Sequence, residues 1–482
     1  CARLEWICDR AEFCALEIEM IPLPRGAQMF GRKFTEFSCA AILILATPNL
    51  TAAESLRDSL RNAYQNSGLL VQNRALLRAA DEKVAGAVAA LRPVISWSSK
   101  FSHSYNDVAN SDSVTTSLNA KWLLYDFGSS DLQTDALEKT VLATRESLVS
   151  IEQNVLLRAV TAHMNYRRSV EFVSLRSANV ELIEQELRAA QDRFEVGEVT
   201  RTDVALAEAR LASARAALAG AQGDLAKAAA EYHAVVGRKP GDLVTPSSLP
   251  KLPKDASAAI ATARAHHPNL KRVQYEVAAA ELALKVAQQA YRPKFEAGAG
   301  LSNVDLDSSL TRNLSLTVSG PVYSSGAIAS ASRAAMAQRD AKRAGLHVAG
   351  LEVEQEVRNA FVVLEVARAK GTATDRQIEA ASVAFRGVRE EASLGARTTL
   401  DVLNAEQELL DARVSRISTR IDEQIASYSL LAAMGKLTAT ELDLGVKTYD
   451  PAEYYNLVKS APRAKSKQGA ALDRVLQGLA GN

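Results

Sequence analysis

Apolar and polar residues alternate along two segments near the start of the chain, residues 93–105 and 114–124. Serine, threonine, asparagine and lysine dominate one parity, and a polar stretch, residues 106–113, separates the segments. The apolar parity holds Ile95, Trp97, Phe101, Tyr105, Val114, Leu118, Ala120, Trp122 and Leu124. Because a period of two is typical of strands with one apolar face, the pattern predicts a β-hairpin over residues 93–125.

The same alternation predicts a second hairpin over residues 293–325. Its apolar parity holds Phe295, Ala297, Ala299, Leu301, Leu314, Leu316 and Val318. Each strand has roughly 10–13 residues, the length that a tilted strand needs to cross a bilayer. The alternative is a pair of soluble hairpins half-buried on a core, although soluble strands of this length are unusual.

A long helical pattern follows each hairpin. Residues 129–194 contain neither Pro nor Gly, and residues 327–394 contain no Pro. At a rise of ~1.5 Å per residue, each helix would reach about 100 Å. The returning segment of the first unit has two lines of residues with a period of seven, namely Val204, Leu211, Leu218, Leu225 and Tyr232, and Ala207, Ala214, Ala221, Ala228 and Val235. This heptad seam predicts coiled-coil helical hairpins over residues 129–236 and 327–434.

Matching turn and capping signals occur at the tips of the two helical hairpins. They are Gly197, Thr200 and Asp203 in the first tip, and Gly395, Thr398 and Asp401 in the second. Gly is typical of a helix C-terminus, and Thr-x-x-Asp resembles a capping box with Asp in place of Glu. Corresponding residues are 198 positions apart, as are Gly237 and Gly435. The repeated spacing predicts a duplicated structural unit.

The duplication suggests a division of the whole chain. The predicted segments are an upstream extension and signal peptide (1–53), an N-terminal helix (54–92), a first repeat (93–240), a linker (241–267), a second repeat opening with a helix over 268–292 (268–435), and a C-terminal segment and tail (436–482).

The signal peptide is predicted because a short apolar run, residues 39–46, follows Arg32 and Lys33 and precedes small residues. A buried strand is the alternative for that run. All four cysteines precede the expected cleavage near Ala52 or Ala53, so the mature chain would have none.

Composition and motifs exclude several classes of function. The formal net charge is +1 without a basic stripe before the last twenty residues, so no nucleic-acid partner is expected. The sequence contains no run of eighteen apolar residues, so we expect no membrane-spanning helix. No catalytic constellation or glycine-rich phosphate loop is present, and His266 and His267 are interpreted as a solvated pair before a helix. We therefore expect neither enzyme activity nor a cofactor or metal site.

Four strands cannot close a barrel, and open strand edges are not tolerated in lipid. Two copies would supply eight strands, which leave an interior filled by side chains, whereas three would supply twelve. The predicted fold is thus mainly α-helical with a membrane β-barrel. In it, a duplicated unit of β-hairpin and coiled-coil helical hairpin forms a trimer with a 12-stranded barrel.

The motifs Leu124-Tyr-Asp-Phe-Gly128, Gly197-x-x-Thr-x-x-Asp203 and Gly395-Ala-Arg-Thr-Thr-Leu-Asp-Val-Leu-Asn-Ala-Glu406, together with the duplication, resemble the TolC family of outer-membrane efflux and type I secretion ducts. The resemblance implies a homotrimer in outer-membrane lipid with a 12-helix periplasmic tunnel. It implies export of proteins by type I secretion, of small toxic molecules, or of both. The implied partners are a periplasmic adaptor and an inner-membrane pump of the ABC or RND type.

The resemblance also implies roles for residues near the tips. Asp401 would point into the tunnel and form a ring at its narrowest point, and Asn404 stands where the family has a second acidic residue. Arg397 would bind Thr202 and Asp203 of a neighbouring hairpin and so hold the gate closed.

Pump docking is expected at Gly197, Thr200, Gly395 and Thr398. Ala392 departs from the family pattern, because a Tyr commonly completes the latch at that position.

Two other classes of protein remain as alternatives. A periplasmic adaptor would also have a coiled-coil hairpin, although usually only one, nested in small β-domains. A soluble helical scaffold without a membrane role would not require the amphipathic strands or the signal segment.

Overall fold

The computed structural model describes residues 54–105, 110–246, 249–305, 309–462 and 466–480, which all belong to one unit, Thr51–Asn482. The predicted extension, signal peptide and cysteines lie outside the described residues. In chain order the elements are α1 (Leu56–Asn66), α2 (Gly68–Ala90), β1 (Val94–Tyr105), β2 (Asn110–Tyr125), α3 (Ser129–Glu195), α4 (Arg201–Val236), α5 (Ala256–His266), α6 (Pro268–Gln289), β3 (Lys294–Val304), β4 (Leu310–Ser319), α7 (Ala327–Ser393), α8 (Thr399–Ala433), α9 (Pro451–Val458) and α10 (Lys467–Ala480).

The four strands form one antiparallel sheet in the order β1-β2-β3-β4. Trp97 lies opposite Leu118, and Leu316 lies opposite Ala297, so the apolar parity of all four strands shares one face. In the isolated chain 76% of Trp97 and 68% of Leu316 are exposed. The predicted first loop was too long, because β2 already begins at Asn110, where the ladder with β1 continues.

The chain enters its two longest helices through the same backbone turn. Phe127 and Gly128 precede α3 with φ of 59° and 78°, and Ser325 and Gly326 precede α7 with φ of 48° and 84°. Two successive left-handed residues are unusual, and glycine in the second position adopts this conformation without strain. The duplication is therefore visible in the backbone as well as in the sequence.

The long helices α3 and α7 each have 67 residues. Both α4 and α6 pack along α3, and α8 and α6 pack along α7, while contacts between α3 and α8 join the two hairpins. On α4, Leu211, Tyr232 and the alanines at 207 and 214 of the predicted seam are buried. None of the helices in the described part of the chain combines the length and the apolar character that crossing a membrane requires.

The N-terminal helix predicted over residues 54–92 is two helices. Ser67 adopts an extended conformation, ends α1, and caps α2 by accepting a hydrogen bond from the backbone N–H of Leu70 at 3.3 Å. The side-chain amide of Asn66 donates to the carbonyl oxygen of Val236 at 3.0 Å, which fixes the end of α1 against α4. The segment predicted as a linker, 241–267, also contains a helix, α5, which Asp255 caps.

A buried polar network joins α1, α3 and α4 next to the main apolar core. The hydroxyl oxygen of Ser59 lies 2.9 Å from Nδ1 of His163 and 2.8 Å from the hydroxyl of Tyr232. All three side chains are fully buried, and burial lowers the pKa of His163 to about 4. A Ser–His pair can serve nucleophilic catalysis where it is open to a substrate, whereas this pair is buried between helices. We call these three residues the clasp network, and its role is to hold the three helices together.

Candidate functional site

The second hairpin tip lies between α7 and α8. Gly395 makes the turn with a φ of 76°, and Thr398 and Asp401 form a capping box. The backbone N–H and the hydroxyl of Thr398 donate to Oδ2 of Asp401 at 3.0 and 2.8 Å, and the N–H of Asp401 donates back to the Thr398 hydroxyl at 3.2 Å. The two bonds to Oδ2, first of all the one from the Thr398 backbone, hold the pKa of Asp401 below its usual value, so the carboxylate is ionised at neutral pH.

The first hairpin tip, between α3 and α4, has the same construction. Gly197 makes the turn with a φ of 81°. The backbone N–H and the hydroxyl of Thr200 donate to Oδ2 of Asp203 at 2.9 and 2.8 Å. Both capping boxes that the Thr-x-x-Asp spacing predicts are therefore present, and each satisfies backbone donors at the start of a helix.

The two tips meet in one cleft. The second tip contributes Gly395, Arg397, Thr398 and Asp401, while Thr200 and Asp203 of the first tip line the other side. Six of the nine residues that the sequence singled out as gate or docking positions thus share one surface of the chain. The other three are Gly197, Thr202 and Asn404, which do not line this cleft.

Within the chain, Arg397 does not bind Thr202 or Asp203. Its Nε donates to Oε2 of Glu391 at 2.8 Å, and this carboxylate raises the pKa of the guanidinium further. About half of each side chain is exposed, so the ion pair is accessible to solvent and to other chains. The predicted contact of Arg397 with a neighbouring hairpin remains a prediction.

Asn404 is linked to the first hairpin. Its Oδ1 accepts a hydrogen bond from the guanidinium of Arg210 on α4 at 3.0 Å. Asn404 is exposed and lies one turn beyond Asp401 on α8, where the resemblance implies an acidic residue, and its role in a second ring remains a prediction.

Sequence reasoning missed a buried carboxyl group close to this tip. Only 4% of Glu406 is exposed, and its Oε1 accepts a hydrogen bond from the amide of Asn179 on α3 at 2.6 Å. Burial, together with nearby Glu186, raises the pKa of Glu406 to about 7. A signal was available, because Glu406 falls at a helical spacing from the apolar residues Val402, Leu403, Leu409 and Leu410.

The interpretation of His266 and His267 as a solvated pair is wrong for His267. His267 is 7% exposed, and its Nδ1 accepts a hydrogen bond from the backbone N–H of Asn269 at 3.2 Å, which caps α6. Burial lowers its pKa. The described residues contain no group of three or more His, Cys, Asp or Glu side chains that could hold a metal ion.

Comparisons with known proteins identify relatives over most of the chain. The family model of the outer membrane efflux proteins matches twice, over residues 59–238 and 259–436, which agrees with the duplication. Among curated proteins, the chain is 35% identical to the outer membrane efflux protein BepC of Brucella suis, over 88% of this chain and 95% of the relative. It is 23% identical to the outer membrane protein TolC of Escherichia coli, over 82% of this chain and 85% of the relative.

Solved structures show the same fold. The crystal structure of CusC has a TM-score of 0.72 and 18% sequence identity, and the match covers 80% of this chain and 92% of CusC. The double match to the family model and the identity to BepC agree with the predicted resemblance. The chain therefore belongs to the outer membrane efflux protein family, whose members are channel proteins rather than enzymes, and it is an outer-membrane channel-tunnel for export.

Proposed function

We propose that the functional duct is a homotrimer in which three four-stranded sheets complete a 12-stranded barrel in outer-membrane lipid. The observation in support is that β1 and β4 are both edge strands of the sheet. An unpaired edge in lipid leaves backbone N–H and C=O groups without partners, at a cost of several kcal/mol each. Pairing β1 of one chain with β4 of the next removes every edge.

The apolar face of the sheet supports the same assembly. Trp97, Phe101, Leu314 and Leu316 are between 66% and 87% exposed in the chain. Exposed apolar side chains of this size are costly in water and favourable against acyl chains. The opposite face carries small or polar residues such as Ser98 and Ser117, whose hydroxyl oxygens lie 2.8 Å apart. This face would line a water-filled lumen.

We propose that the hairpin tips form the periplasmic constriction and the docking surface for an adaptor and an inner-membrane pump of the ABC or RND type. The observation that carries this proposal is the single cleft between the tips, with its ionised Asp401. Three-fold symmetry would bring three such carboxylates towards one axis. Because like charges repel, the closed state needs a link between hairpins, and the exposed Arg397 is positioned at the rim to provide it.

The cargo class is part of the proposal. The names of relatives point to two kinds of cargo, since AprF of Pseudomonas aeruginosa is an alkaline protease secretion protein and CusC of Escherichia coli O157:H7 belongs to a cation efflux system. We propose export of proteins by type I secretion, of small toxic molecules, or of both. A periplasmic adaptor, the alternative from the sequence, would not need an exposed apolar face on a four-stranded sheet.

Single-channel conductance in planar bilayers tests the gate. We expect Arg397→Ala to raise conductance, because it removes the donor that links neighbouring hairpins. Glu391→Gln distinguishes a link between neighbouring hairpins from the ion pair within the chain. It breaks the ion pair of Arg397 with Glu391 and leaves Arg397 available to a neighbour. Arg333→Ala, far from the tips on α7, is the matched control. Unchanged conductance in Arg397→Ala would show that the tip is not the constriction.

A further inference from the structure

A second cleft lies above the tips, among α3, α7 and α8. Its floor is apolar and includes Leu175 and Leu182 of α3, Phe385 of α7, and Leu409 and Leu410 of α8. Apolar clefts with a few convergent polar groups are the usual form of small-molecule sites.

Glu406 stands in the wall of this cleft. Its Oε1 accepts a hydrogen bond from Asn179, but its Oε2 is buried and has no hydrogen-bond partner among the residues that the structure describes. A buried carboxylate oxygen without a donor is costly, so a neutral, protonated carboxyl is favoured there. A protonated Glu406 carries no negative charge, whereas an ionised Glu406 would repel an anion in the cleft.

Three arginines border the same cleft. Arg389 of α7 pairs with Glu186 of α3 at 3.3 Å, and Nε of Arg386 donates to the carbonyl oxygen of Ser382. Arg413 of α8 is exposed, and no ion pair of it occurs among the residues that the structure describes. Because Glu186 neutralises Arg389, the lining of the cleft keeps two further guanidiniums, those of Arg386 and Arg413, and a single carboxyl group, that of Glu406.

We propose that this cleft binds a small amphipathic anion, with an apolar body of one or two rings and one sulfonate or carboxylate group. The body would pack against Phe385 and the leucines. The anionic group would bind the guanidiniums of Arg386 and Arg413, and a neutral Glu406 would not repel it. A hydrophobic cation is disfavoured, because the rim carries more positive than negative charge.

Binding should take up a proton. The charged groups that act on Glu406 are Glu186 on α3, Arg389 on α7 and Arg210 on α4, and Arg386 on α7 and Arg413 on α8 line the same cleft. An anion in the cleft adds negative charge beside Glu406 and so favours its protonated form. With a pKa of about 7 in the free protein, the protonated fraction falls about tenfold between pH 6 and pH 8. The affinity for the anion should fall by about the same factor.

The test uses naphthalene-2-sulfonate as the anion. Because a sulfonate stays ionised between pH 6 and pH 8, any pH dependence of the affinity comes from the protein. Isothermal titration calorimetry on the full protein in lipid nanodiscs, with empty nanodiscs subtracted, gives the dissociation constant at pH 6 and pH 8. We expect tighter binding at pH 6, and weaker binding of the neutral analogue 2-naphthalenemethanol at both values. No binding, or equal binding of the neutral analogue, would overturn the proposal.

Variants of the lining residues test whether the anion binds in this cleft and whether Glu406 causes the pH dependence of binding. Glu406→Gln should bind the sulfonate with nearly the same affinity at both pH values, because the amide cannot ionise. Arg413→Ala should weaken binding at both, whereas Arg376→Ala, elsewhere on α7, should not. Thermal unfolding of each variant confirms that the fold is retained. A pH dependence that persists in Glu406→Gln, or unchanged affinity in Arg413→Ala, would rule out the proposed site.

Discussion

The side chain of Asp401 takes part in the capping box of α8 and is ionised at the same time. Its Oδ2 accepts both hydrogen bonds from Thr398, and these bonds keep the group ionised as they cap α8. The same hydrogen bonds therefore stabilise both the start of α8 and the charged form of the carboxylate. Loss of an N-terminal cap costs about 1 kcal/mol, so a substitution that removes the cap as well would confuse a test of charge.

Ion selectivity of the reconstituted channel separates the two roles. We expect Asp401→Asn to reduce cation preference, because the amide oxygen keeps an acceptor for the cap and the charge is lost. Asn404→Asp should increase cation preference by adding a second ring of carboxylates one turn away. Asp224→Asn is the control, since it makes the same change at an exposed position of α4 that does not line the cleft between the tips. Identical reversal potentials in all variants would leave capping as the only role of Asp401.

At the level of residues, the sequence predicted local interactions well and tertiary ones poorly. The capping boxes depend on spacings of three residues within one segment, and both formed as predicted. The burial of Glu406 and His267 depends on α3 and on the turn at Gly435, whose positions follow only from the packed fold. Arg397 was predicted to bind a neighbouring hairpin, and a single chain shows only its pairing with Glu391.

At the level of elements, the alternation of the strands leads to a direct test of lipid exposure. We expect Leu316→Arg to impair insertion into the outer membrane, because a charge facing hydrocarbon costs ~2–4 kcal/mol. Thr317→Arg, one residue further and on the opposite face, should insert normally. Heat-modifiable migration on gels and resistance to carbonate extraction measure insertion. Normal insertion of Leu316→Arg would indicate that this face does not contact lipid.

The boundaries of helices and strands were predicted best where a single sequence periodicity dominates the segment. The 67-residue helices follow from long stretches without Pro, and the strands follow from their alternation. The break at Ser67 was missed because the pattern of α1 and α2 continues across it. In the structure, the hydrogen bond of Asn66 to α4 and the contact of Ser59 with His163 and Tyr232 fix α1 separately from α2.

At the level of the whole molecule, the open sheet predicts the size of the assembly. The protein extracted in mild detergent should have three times the mass of the denatured chain, after subtraction of bound detergent. The physical reason is that only an assembly in which every β1 pairs with a β4 leaves no edge, and three copies are the smallest number with a wide lumen. A mass of one or two chains by light scattering would contradict the proposed barrel.

The clasp network has a mechanical consequence for the gate. His163 lies 32 residues before the end of α3, so the hairpin tip extends roughly 50 Å beyond this fixed point. A stiff arm of that length acts as a lever, and a tilt of about 5° at the clasp displaces the tip by about 4 Å. That distance exceeds the reach of a hydrogen bond. In the proposed trimer, a pump that pulls on the tips would need only a few degrees of rotation to part the links between neighbouring hairpins, while the helices themselves stay intact.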